Sequence, residues 1–119
     1  MRTIIQTVVT RKIIVFMLAG LLISGERVNA QELRVRGMAP CGQWVRERNE
    51  DGYNTVVDQR GLVGFLSGLV IGSNKDVLNG TDNASIFLWM DNYCRKTPLS
   101  HSYEGALELF RELVKKKNL

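Results

Sequence analysis

The chain has 119 residues, 45% of them apolar, and its 16 basic and 12 acidic residues leave a formal charge of +4. A length this short holds one domain and excludes a multi-domain enzyme or a polytopic membrane protein. The positive charge invites a nucleic-acid or membrane-surface reading, which depends on where the charges lie.

The N-terminus carries Arg2, Arg11 and Lys12, followed by an uncharged, largely apolar run over residues 13–25 and then Val28-Asn29-Ala30. Basic, apolar, small-residue is the order of a secretory signal peptide. The apolar run has 13 residues, whereas a bilayer-spanning helix needs about 20. Cleavage after Ala30 is therefore expected, with no stable membrane anchor afterwards. Removal of residues 1–30 takes away Arg2, Arg11, Lys12, Arg27 and Glu26, and the remaining 89 residues carry 12 basic and 11 acidic groups, a net charge of +1. The nucleic-acid reading loses its main support. At 89 residues a hydrophobic core is marginal, and a covalent staple would help.

Residues 31–40 lack apolar periodicity and read as a flexible arm ending at Pro40. The domain proper then runs over residues 41–119. Cys41, Trp44 and Val45 share one helical face, and Arg46, Glu47 and Arg48 start a solvated side, so a short first helix is expected to about Arg48. Asn49-Glu50-Asp51-Gly52 is a turn signal. Residues 54–60 are ambiguous, and Thr55-Val56-Val57 also suits a brief extended stretch. Residues 61–72 are apolar, with Leu62, Phe65, Leu66 and Leu69 at helical spacing. Gly64, Gly68 and Gly72 recur every fourth residue and line one face, which lets another backbone approach closely. The stripe serves packing inside the domain or, with Phe65 and Leu69, a surface for a partner, a client or a second copy.

Residues 73–80 form a polar connection ending in the turn dipeptide Asn79-Gly80. Thr81 or Asp82 can cap a third helix running to about Lys96, with Ile86, Trp89, Met90 and Tyr93 on one face. Pro98 enforces the stop. Ser100 or Ser102 caps a last helix in which Tyr103, Ala106, Leu107, Phe110, Leu113 and Val114 repeat at three and four. The expected fold is all-α: about four helices around Trp44, Phe65, Trp89 and Phe110.

Two cysteines, Cys41 and Cys94, remain in the exported chain. An even count in an oxidising compartment reads as one disulfide. The alternatives are a reactive thiol or half of a metal site, but neither cysteine has another nearby and His101 is the only histidine. A tetrahedral zinc site wants four grouped ligands, so no metal and no cofactor are expected. Closing the 53-residue loop would tie the first helix to the third and stabilise the fold by about 4 kcal/mol.

The remaining chemistry is thin, and no catalytic residue stands out. His101 lies between Ser100 and Ser102, but adjacency in sequence is not a triad. No glycine loop followed by Lys-Ser/Thr is present to cradle a phosphate. Glu104, Glu108 and Glu112 form an acidic row along the last helix. It reads as a solvated face in which Glu112 can reach Lys116, or as acid-sensing carboxylates. Lys115-Lys116-Lys117 complements the helix C-terminus. Asn79-Gly80-Thr81 and Asn83-Ala84-Ser85 match a glycosylation sequon that is inert in a bacterium.

Cys41-Gly42-Gln43-Trp44, the apolar glycine-bearing helix at 61–72, and Tyr93-Cys94-Arg95-Lys96-Thr97-Pro98 together resemble the small periplasmic superfamily of the acid-stress chaperones HdeA and HdeB. The resemblance spans about residues 41–114. It implies a bacterial periplasmic location, a Cys41–Cys94 disulfide across a small helical domain, and a non-enzymatic role. It also implies a folded homodimer near neutral pH that exposes apolar surface in acid to hold unfolding clients. Protonating the 11 acids and His101 would take the exported chain from +1 to about +13, a self-repulsion that opens compact states. The chain is also similar to Tai-type immunity proteins of type VI secretion, small exported helical domains that neutralise a specific toxin in the periplasm. An accessory factor of an envelope machine is a third reading.

Overall fold

Four α-helices make up most of residues 34–119, which are the residues described by the computed structural model. The signal peptide read over residues 1–30, and the first three residues of the arm, lie outside the described residues. The helices are α1 (Cys41–Glu50), α2 (Tyr53–Ser73), α3 (Asn83–Lys96) and α4 (Ser102–Lys117). There is no strand among the described residues; one isolated bridge pairs Pro40 with His101. The fold is an all-α bundle stapled by a Cys41–Cys94 disulfide, with a Cα–Cα distance of 4.7 Å.

The helix ends follow local chemistry. Left-handed residues Asp51, Asn74 and Asn118 stop α1, α2 and α4. Asp and Asn tolerate that conformation because their short polar side chains bond locally. Asp82 caps α3, accepting hydrogen bonds from Ser85 N at 2.8 Å and Ser85 Oγ at 2.7 Å. The cap of α4 differs from the expected Ser100 or Ser102. His101 is the N-cap residue, and its backbone N–H donates to Glu104 Oε2 at 2.9 Å. Ser102 is buried instead, and its hydroxyl donates to the Ala39 carbonyl at 2.7 Å.

That last contact bears on the arm. Ala39 is buried, Ser102 N–H also reaches its carbonyl, and Cys41 N–H donates to the Ser100 carbonyl at 2.8 Å. Residues 34–40, expected as a flexible arm, are therefore pinned at their C-terminal end beside the disulfide. The arm also crosses α2, where a Cβ on Gly61 would lie 2.4 Å from the Gly37 carbonyl oxygen.

The ambiguous residues 54–60 are helical, because α2 begins at Tyr53 and runs unbroken through the glycine-bearing segment. Thr55 is buried, and its hydroxyl donates to the Glu47 carbonyl of α1. Val56 and Val57 point outward. The β-branched run carried no helical period because apolar residues stand on nearly every side of α2.

The core is built from Trp44, Leu62, Leu66, Ile86, Met90, Leu109 and the cystine, all essentially inaccessible. Of the four aromatics expected at its centre, only Trp44 is there; Phe65, Trp89 and Phe110 are half-buried and pack against its outside. Trp89 stacks on Tyr93 with ring centroids 5.5 Å apart. The connection between α2 and α3 also departs from its polar reading, since Val77 is completely buried. Its end is fastened by Lys117, whose ammonium donates to the Asn79 carbonyl and to Thr81 Oγ1.

Candidate functional site

Two surfaces stand out, the first of them on α2. Tyr53 and Ile71 are each 82% exposed and Val56 and Val57 each 45%. These residues recur along one side of the helix together with Gly64, Gly68 and Gly72. The three glycines are solvent-exposed, and a Cβ on any of them would meet nothing within 4 Å. The glycine stripe therefore does not serve packing inside the domain. Phe65 and Leu69, grouped with it from sequence, are half-buried against the core and form the inner flank of the face. Arg60 is the one exposed charge over residues 56–72. A groove of about 300 Å³ runs from Val56, Arg60 and Val63 across to Phe87 and Asn83 at the start of α3.

The second surface is a groove of about 420 Å³ between the first half of α3 and the second half of α4. Ile86, Trp89, Leu109 and Leu113 floor it, and Asp82, Glu112, Lys116 and Lys117 rim it. Trp89 Nε1–H donates to Glu112 at 3.1 Å. The acidic row is thus divided in use: Glu104 caps α4, Glu112 holds Trp89, and Glu108 lies exposed. Asp82 is drawn below its ordinary value by the Ser85 backbone and hydroxyl donors. Among the described residues, no three His, Cys, Asp or Glu side chains converge as a metal site would require. No helix among them is long and apolar enough to cross a membrane.

The polar side chains with most at stake lie on α1, where the sequence suggested a solvated side. Arg46 is solvated, but Glu47 is only 6% exposed. Arg48 turns toward α3, donating through Nε to Asp91 Oδ1 and through Nη2 to Oδ2, both at 2.9 Å. Trp44 Nε1–H donates to the same Oδ1 at 2.8 Å. Burial alone would push Asp91 up, but the Arg48 and Trp44 hydrogen bonds, with the Arg48 charge, outweigh it and hold the carboxyl below its ordinary value. Arg48 also lies over the Phe87 ring, 5.9 Å from its centroid. Asp91 was not legible as a functional or structural acid. The one signal was its place one turn before Cys94, on the face the disulfide pulls toward α1.

Cys41 and Cys94 are fully buried in the disulfide, and no free cysteine remains among the described residues. Cys94 and Trp44 therefore sit at the α1–α3 seam, whereas Tyr93 stacks on Trp89 and faces Gly105 of α4. No protein-family model, curated protein or solved structure matches this chain.

Proposed function

We propose that this chain is an exported, periplasmic, non-enzymatic protein that binds other proteins through the outer face of α2. Its partners are unfolding clients in acid, as in the HdeA and HdeB chaperones it resembles. The observation that carries the reading is the uncovered apolar face from Tyr53 to Ile71, interrupted by only one charge. Contiguous apolar surface with a polar surround is where proteins meet. The glycines in its middle leave room for a second chain to lie close to the helix backbone. The disulfide supports the same reading, because it limits how far the domain can expand when the carboxylates are neutralised.

The test is aggregation of an acid-unfolded client at about pH 3, where compact acid states expose apolar surface. The protein without its first thirty residues should suppress that aggregation, and Ile71→Lys together with Val57→Lys should remove the effect. Inactivity there, together with a stable complex at neutral pH with a single toxin, would replace this reading with the immunity-protein one.

A further inference from the structure

The groove between α3 and α4 is not used by the proposed function, which concerns the outer face of α2. Each of its walls is a single helical stripe. On one side Asp82, the cap of α3, is followed by Ser85, Ile86 and Trp89 at spacings of three and four. On the other, Leu109, Glu112, Leu113 and Lys116 recur in the same way along α4. Each stripe covers two helical turns, so the groove is about 10 Å long. The two helices meet closely at Gly105, where a Cβ would lie 2.6 Å from the Tyr93 ring. The groove opens beyond that contact, toward Asp82 and Lys116.

The shape selects a thin ligand. Ile86, Leu109 and Leu113 line the floor, yet they are only 2%, 3% and 8% exposed. A floor reached along so narrow a line takes an unbranched alkyl chain, whereas a ring or a branched group would stop at the rim. Half-buried Trp89 adds an apolar wall, and its indole N–H is already held by Glu112. The groove volume of about 420 Å³ lies within the range of small-molecule sites.

The rim carries two acids and two bases, so the complement is decided by which of them already have partners. Asp82 accepts from the Ser85 backbone N–H and hydroxyl. Glu112 accepts from Trp89 Nε1–H. Lys117 donates to the Asn79 carbonyl and to Thr81 Oγ1. On the adjoining connection, Asp76 accepts from Asn79 N–H at 3.2 Å. Lys116 is exposed and has no hydrogen bond or ion pair among the described residues, and Lys115 beside it adds a second exposed cation. The one rim charge left without a partner is therefore positive, and it stands at the mouth of an apolar slot.

We propose that the α3–α4 groove binds one molecule of a free, single-chain amphiphile with an anionic head. The alkyl chain lies along Ile86, Leu109 and Leu113 against the Trp89 ring, and the head meets the Lys116 ammonium. Removal of the chain from water supplies most of the affinity. The exposed Lys116 pair adds little, but it fixes which end of the ligand faces out. The inference is independent of the chaperone reading and concerns a different surface.

Titration with decanoate at neutral pH, followed through the indole N–H resonances in NMR, tests this. The Trp89 resonance should move and reach half-saturation at about 1 mM or below. The Trp44 resonance should stay in place, because that indole is enclosed and bonded to Asp91. Lys116→Glu changes an exposed, unpartnered side chain and should weaken decanoate binding about fivefold or more. Decylammonium, with the same chain and the opposite head, should bind the wild-type protein more weakly than decanoate does and Lys116→Glu more tightly. A Trp89 resonance that does not move, equal affinity for the two heads, or unchanged decanoate affinity in Lys116→Glu overturns the proposal. Saturable shifts at Tyr53 and Ile71 in place of Trp89 also overturn it, since they put the amphiphile on the outer face of α2. Binding to phosphatidylglycerol vesicles with none to monomeric decanoate overturns it in favour of a lipid surface.

Discussion

The two sides of α1 meet their neighbours on opposite terms. Toward α3, Trp44 and Arg48 place three donors on the two oxygens of Asp91, and the disulfide closes the same seam at its other end. Toward α2, Glu47 and Asp58 each leave an oxygen with no donor among the described residues. The contrast extends along the partner helices. Gly105 lets α4 press against α3, where a Cβ would lie 2.6 Å from the Tyr93 ring and 2.9 Å from Met90 Sδ. On α2, Gly64, Gly68 and Gly72 face open space. One half of the molecule is matched and close-packed, while the other keeps unmatched acids and uncovered apolar surface. The matched half holds the fold.

Breaking the matched half should have the largest effects. Loss of the Cys41–Cys94 bond, by reduction or by replacing both cysteines with serine, should cost about 4 kcal/mol in chemical unfolding. For a domain of this size that leaves little net stability, so a reduced protein with an unchanged unfolding midpoint would contradict the assignment of the staple. Asp91→Ala should cost about 3 kcal/mol, because it strands the buried Trp44 N–H and two Arg48 donors in a partly buried seam. It should also flatten the loss of stability below the ordinary Asp range, since the lowered carboxyl that supplies it is gone.

Smaller changes at the glycines sharpen the comparison, because the same substitution should have opposite signs on the two sides. Gly105→Ala should destabilise by about 1–3 kcal/mol, the range for overpacking a close contact. Gly64→Ala or Gly68→Ala should stabilise by about 0.5–1 kcal/mol, since both sit inside a helix with room for a methyl group. Equal signs at Gly105 and Gly64 in thermal unfolding would remove the distinction between the two halves. The smallest stability effect belongs to Ile71→Ser, expected within about 0.5 kcal/mol for an exposed side chain. Its consequence should appear in client aggregation assays instead.

How far the sequence could be read follows the same division. The ends of α3 were legible because the turn dipeptide Asn79-Gly80, the Asp82 cap and Pro98 act within a few positions of themselves, whereas the cap of α4 fell on His101 rather than on a neighbouring serine. Gly61 and Gly105 were not distinguishable from Gly64 by type. What separates them is a chain segment or helix that arrives from elsewhere: Gly37 in one case, and Tyr93 with Met90 in the other. Val77 was hidden in a polar segment because a single apolar residue has no period. Glu47 and Arg48 were assigned to water because charged side chains usually lie there. Their partners are supplied by tertiary contact, with Asp91 lying 43 residues from Arg48.

The sequence alone therefore determined the class of this protein: a short all-α domain, punctuated by its own turns and tied by its two cysteines. Helical period, caps and cysteine count are local or compositional properties, and they need no knowledge of neighbours. Only the tertiary structure decided which glycines touch another chain segment, which face of α2 stays uncovered, and which charges are matched. Those outcomes depend on what lies across each helix face, and a helix with apolar residues on nearly all sides does not specify its own partner.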